Sequence, residues 1–136
     1  MSPKRTSYGL LILVFILLFI NFYFFHLDLK NSKKGFTFAM LDVDQGDALF
    51  IESPTGTQIL FDGGRVRKIL GPLAHLMSPF DRSIDAVVVT NPDADHVGGF
   101  LDVLKKYKIG AVFEPGTLNS SKVYQNFKEE IDSKDI

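Results

Sequence analysis

The sequence predicts a small mixed α/β domain behind a single membrane-spanning helix. From Gly9 to Phe25 every residue except Gly9 and Asn21 is apolar. After Gly35, short runs of β-branched and aromatic residues alternate with turns rich in Gly, Pro and Asp. Further on, apolar residues recur at helical spacing between those runs. At 136 residues, 46% apolar and 23% charged, there is length for one small domain. Outside the apolar run about 40% of residues are apolar, an ordinary globular level that argues against disorder. No second run comes close to the ~20 residues of another span. A net charge of −1 argues against an overall basic nucleic-acid binder, and zero cysteines exclude disulfides and thiolate metal ligands.

Leu10–Phe25 with its flanks is long enough for a thin hydrocarbon core. It has no Ala-x-Ala-like cleavage site and no polar face, which favours an uncleaved anchor over a signal peptide or a buried helix. The expected organisation is a tail over 1–8, an anchor over 9–26, a linker over 27–35 and a domain over 36–136. Phe22–Phe25 fit an interfacial aromatic belt or the span itself. Lys4 and Arg5 on one side and Lys30, Lys33 and Lys34 on the other leave the positive-inside rule undecided.

Strands are expected over 36–41, 48–52 and 57–61, the last two joined by the Ser53-Pro54-Thr55-Gly56 turn. Helical potential follows over 66–77, interrupted at Gly71-Pro72. The nearly continuous apolar run Ile84–Thr90 predicts a central strand covered on both faces. A helix over 97–107, a strand over 109–113 and a last helix through Ile131, capped by Ser120 or Ser121, complete the pattern.

Asp62 ends one strand; Asn91, Asp93, Asp95 and His96 follow another. Strand ends let side chains converge without disturbing the sheet, and Asp and His supply oxygen and nitrogen ligands for zinc, manganese or iron. Gly98-Gly99 suits a tight turn into the next helix. Each motif alone is weak.

Their order is informative: Asp42-Val43-Asp44-Gln45-Gly46-Asp47, a hairpin, Phe61-Asp62-Gly63-Gly64, then Thr90-Asn91-Pro92-Asp93-Ala94-Asp95-His96-Val97-Gly98-Gly99. Over about residues 36–116 this resembles the metallo-β-lactamase superfamily, and within it the hydrolase domain of ComEC-type competence proteins. The resemblance implies the N-terminal half of an αββα sandwich. It also implies metal-assisted hydrolysis with one or two divalent ions, zinc or manganese, in a complete domain. The first ion would be held at the positions of Asn91 and Asp93, the second by Asp95 and His96. Asp62 and Asp95 would take catalytic roles, Asp62 as a buried acid orienting the loop. The substrate implied is a phosphodiester in DNA during uptake, and the domain is expected on the outer face of the cell membrane.

Three departures stand out. Asn91 replaces the family's first ligand His. Asp44 replaces a Gly in the first loop, where Asp tolerates positive φ better than most residues. The family's later ligands have no counterpart here, and His26 and His75 are not placed to replace them. Half a sandwich also leaves an apolar sheet face that needs a partner, such as a downstream chain. The alternative function is a non-catalytic, membrane-tethered interaction module or degenerate remnant. Arg65, Arg67, Lys68, Lys105, Lys106 and Lys108 fit phosphate contacts or, more simply, a solvated face.

Overall fold

The computed structural model describes residues 3–31, 35–117 and 119–136. The expected linker positions Ser32, Lys33 and Lys34 lie outside the described residues. The chain divides into two compact units, residues 1–35 and 36–136. The first is a single helix, α1 (Pro3–Asn31). Within it Tyr8–Leu27 is long and apolar enough to cross a membrane, and none of its residues is buried.

The second unit is built on β1 (Thr37–Met40), β2 (Leu49–Glu52), β3 (Gln58–Phe61), β4 (Ser83–Val88) and β5 (Lys108–Phe113). They form one sheet in chain order. The first two pairings are antiparallel, and β3–β4 and β4–β5 are parallel. The parallel pairs are joined through α2 (Leu70–Leu76) and through α3 (Ala94–Val97) with α4 (Phe100–Lys106); α5 (Lys122–Ser133) follows β5.

Register explains the core. Phe50 pairs with Leu60 and Leu60 with Val87, and all three are essentially inaccessible. They share one hydrophobic cluster with Leu73, Phe100, Val103, Phe127 and Ile131 from the helices. The Phe100 and Phe127 rings stack at 5.7 Å. One residue along each strand, the opposite face carries Phe38, Met40, Leu49, Ile51, Ile59, Phe61, Val88 and Phe113. These are exposed or half-buried, with Phe38 at 62% and Met40 at 65%. The expectation that the apolar fourth strand is covered on both faces is therefore corrected. β4 lies between β3 and β5, but its Ala86 and Val88 are only half-buried. Hydrophobic patterning records which residues seek cover, not whether this chain supplies it.

Two helix expectations are also revised. Gly71-Pro72 does not interrupt α2 but sits in its first turn, where the missing N–H costs no intrahelical bond. The segment before it is not helical because Arg67 has φ 71°, and its N–H is held by the Asp102 carboxylate at 2.7 Å. The expected helix over 97–107 is split into α3 and α4 around Gly98-Gly99. Neither glycine takes positive φ (−58° and −69°). Close approach is the reason they are needed: a Cβ on Gly99 would strike the Gly63 carbonyl, and one on Gly98 would come within 2.6 Å of the Ala94 oxygen. The last helix starts at Ser121, whose hydroxyl accepts the Tyr124 N–H at 3.3 Å.

Gly99→Ala is expected to destabilise the chain by about 2 kcal/mol through overpacking against backbone. Gly71→Ala, where nothing lies within 4 Å, should stabilise it by about 0.5 kcal/mol. Urea unfolding in detergent, followed by circular dichroism, measures both.

Candidate active site

Because β1, β3, β4 and β5 run the same way, their C-terminal ends and the start of β2 share one end of the sheet. The loops 41–48, 62–69, 89–93 and 114–121 all emerge there. Backbone hydrogen bonds tie the three motifs together. Gly63 N–H donates to the His96 carbonyl at 2.6 Å, Gly99 N–H to Gly64 at 2.9 Å, and Gly64 N–H to Asp47 at 2.9 Å. A Cβ on Gly46 would collide with the Asp95 carbonyl, so the first loop rests directly on the third.

Asp62 is at the centre. It is 2% exposed and takes φ 54°, which turns the chain sharply at the end of β3. Its Oδ1 accepts the Thr90 N–H at 2.8 Å, and its Oδ2 accepts the Thr90 hydroxyl and faces His96 Nδ1 at 3.0 Å. A buried carboxylate needs such donors, since it loses hydration on folding. Burial pushes the His96 imidazole down, but the hydrogen bond and charge of Asp62, with the charges of Asp95 and Asp47, outweigh it and leave the imidazole above 6.5. Fixing Nδ1 on a carboxylate sets the ring's orientation and leaves Nε2 as its outward nitrogen.

The other predicted residues form a second group. Asp93 opens α3 without capping it. Its Oδ2 accepts the Asn91 side-chain amide at 3.1 Å and its Oδ1 the Asn119 amide at 2.9 Å. Asn119 in turn accepts the Ser121 N–H at 2.7 Å. Asn91 thus acts as a donor to Asp93, at the position where the resemblance implies an imidazole ligand. Asp44 has φ 73°, in keeping with a loop position that favours glycine.

The site therefore brings Asp62 to His96, with Asp95 and Asp47 near enough to act on the imidazole. It brings Asn91 to Asp93. Thr90, Asp47 and Asn119 were not singled out from sequence. Thr90 and Asp47 lie inside recognised motifs, whereas Asn119 lies in a loop with no signal.

The superfamily implied by the motifs generally uses divalent metal ions such as zinc. The donor set does not fit one as it stands. Both oxygens of Asp62 and of Asp93 are engaged by hydrogen-bond donors. Among the described residues no group of three or more His, Asp or Glu is placed to hold a metal, and zinc sites need at least three protein ligands.

The fold and motifs have a clear family counterpart. The family model of the metallo-beta-lactamase superfamily matches residues 41–122, and the chain belongs to that superfamily. Within it, the chain is similar to ComE operon protein 3 of Bacillus subtilis (strain 168), with 28% identity over 115 residues, covering 67% of this chain and 14% of the relative. It thus spans about one-seventh of that relative's length.

Asp62→Ala should lower stability by roughly 3 kcal/mol, because it leaves the Thr90 donors and His96 without their buried partner. Asp62→Asn should lower the His96 pKa, read by NMR titration of the imidazole. Since folding raises that pKa above 6.5, its contribution to stability is full below pH 6.5. It fades as pH rises through the folded-state value.

Proposed function

We propose that this chain is the membrane-tethered N-terminal part of a ComEC-like hydrolytic domain that acts on phosphodiesters of DNA during uptake. In this reading it works with a divalent metal only once further polypeptide completes the sandwich and the donor set. The observation that carries the proposal is the His96 imidazole held by Nδ1 on buried Asp62, at the sheet end where all three family motifs meet. Orienting a His through a second carboxylate is how ligating or proton-carrying imidazoles are prepared. This chain's own share of the chemistry is to hold that ring, and to place the Asp95 and Asp47 charges beside it. The need for a completing segment is supported by the open apolar sheet face and by the absence, among the described residues, of three ligating side chains placed together. Tyr8–Leu27 supports the tether, and the expected outer-face location belongs to the same reading.

A second reading is favoured by one specific observation. Each Asp93 oxygen accepts a side-chain amide, from Asn91 and from Asn119, which suits a non-catalytic module whose polar site is held by hydrogen bonds.

The two readings separate when the chain is co-expressed with the segment that follows the aligned region in the Bacillus subtilis relative. The hydrolase reading expects zinc or manganese in the complex and cleavage of a DNA substrate that falls at least about a hundredfold in His96→Ala, the scale of a lost acid–base or ligand group. A complex without metal, or cleavage untouched by His96→Ala, overturns it. The module reading expects no metal until Asn91→His supplies a ligand, and is refuted if that variant leaves metal binding unchanged.

A further inference from the structure

The end of the sheet opposite the candidate site has a separate character. β4 and β5 begin there at Ser83 and Lys108, and the Lys108 N–H bonds the Arg82 carbonyl at 2.7 Å. Between these strand starts, the end of α4 and the end of α5 lies an open groove of about 830 Å³. Five cations line it (Arg82, Lys105, Lys106, Lys108 and Lys134), against the single acid Asp135. Lys105, Lys106 and Lys108 are exposed. Among the described residues no carboxylate is within ion-pair distance of these three. Lys134 is 4.0 Å from Glu130, so the local positive potential comes mainly from Lys105, Lys106 and Lys108, and an anionic surface would meet it favourably.

Strand polarity supplies the second observation. β1 is antiparallel to β2 and β2 to β3, so β1 starts at the same end as β3, β4 and β5. The chain therefore enters the sheet at the cationic end. Positions 32–36 lie between Asn31 of α1 and Thr37 in the sequence. That stretch contains Lys33 and Lys34.

We propose that this strand-start end is an electrostatic docking face for anionic lipid headgroups. The inference rests on the tether reading above. Anionic lipid is the occupant that fits: Lys105, Lys106 and Lys108 are exposed around an open groove, as a broad anionic surface requires, and Tyr107 beside them is buried. Each basic residue near such a surface favours docking by about fivefold.

The absence of native cysteines allows single labels. A fluorophore on Ser133→Cys reports the strand-start end and one on Thr117→Cys the opposite end. The full chain is placed in vesicles of phosphatidylcholine, or of phosphatidylcholine with phosphatidylglycerol, each carrying headgroup-labelled acceptors. Energy transfer from position 133 should be high on anionic and low on neutral vesicles, and low from position 117 on both. Reversing Lys105, Lys106 and Lys108 to Glu should lower the docked-to-undocked ratio on the order of ten-thousandfold, since neutralising the three alone removes about a hundredfold. The triple Lys→Gln variant should give an intermediate loss, and it serves if the Glu variant misfolds. Equal transfer on both lipids, or transfer indifferent to these substitutions, overturns the proposal. So does a DNA duplex whose binding is abolished by the reversal while lipid-dependent transfer persists. Flotation tests the tether separately. A chain that floats with neutral vesicles but shows no lipid-dependent transfer defeats the docking face alone. One that floats only with anionic vesicles defeats the tether while the docking face stands.

Discussion

The buried carboxylate of Asp62 is the interaction on which the site depends. Placing an ionised group in the interior is costly unless donors replace its water. Here Thr90 and His96 replace it, and both come from the segment that follows β4. Satisfying one charge therefore fixes the spacing between the end of β3 and the loop after β4. The glycines around it have a related purpose. Gly63 and Gly99 let two backbones approach so closely that a Cβ on either would clash, and the resulting contact brings Gly63 N–H onto the His96 carbonyl. Side-chain chemistry and backbone packing thus hold His96 from two directions.

The sheet's polarity then divides the domain. Parallel strands collect their following loops at one end, so motifs separated by tens of residues in the chain share one small region. The same polarity sends the strand starts, with their lysines, to the other end. The two ends differ in charge: Asp44, Asp47, Asp62, Asp93 and Asp95 gather at one, with Arg65 and Lys68 beside them, while Arg82 and four lysines line the groove at the other, with Asp135. The acidic end holds a charged imidazole readily, because Asp62, Asp95 and Asp47 all favour the protonated ring.

The faces of the sheet differ as sharply as its ends. One is closed by helices around Phe50, Leu60 and Val87, while the other shows Phe38, Met40 and Phe113 to solvent. Alternating side chains make this division unavoidable once the register is set. Covering these exposed apolar side chains would be stabilising.

Much was legible from residues alone. The apolar run marked α1, the turn residues marked the hairpin, and Ser120 or Ser121 with Val123, Phe127 and Ile131 marked α5. The ordered motifs named Asp62 and His96 as members of one site, because residue type and position at strand ends are sequence properties. What the sequence could not contain was the partner of each polar group. Asn119 reaches Asp93 across 26 positions, and the purpose of Gly98-Gly99 lies in backbone crowding, which no local pattern encodes. Nor does an apolar strand state whether both faces are covered. Local preferences are set by neighbours in the chain, so composition and spacing determined the elements and the candidate chemistry. Hydrogen-bond partners, close approaches and cover are set by neighbours in space, and only the tertiary structure decided them.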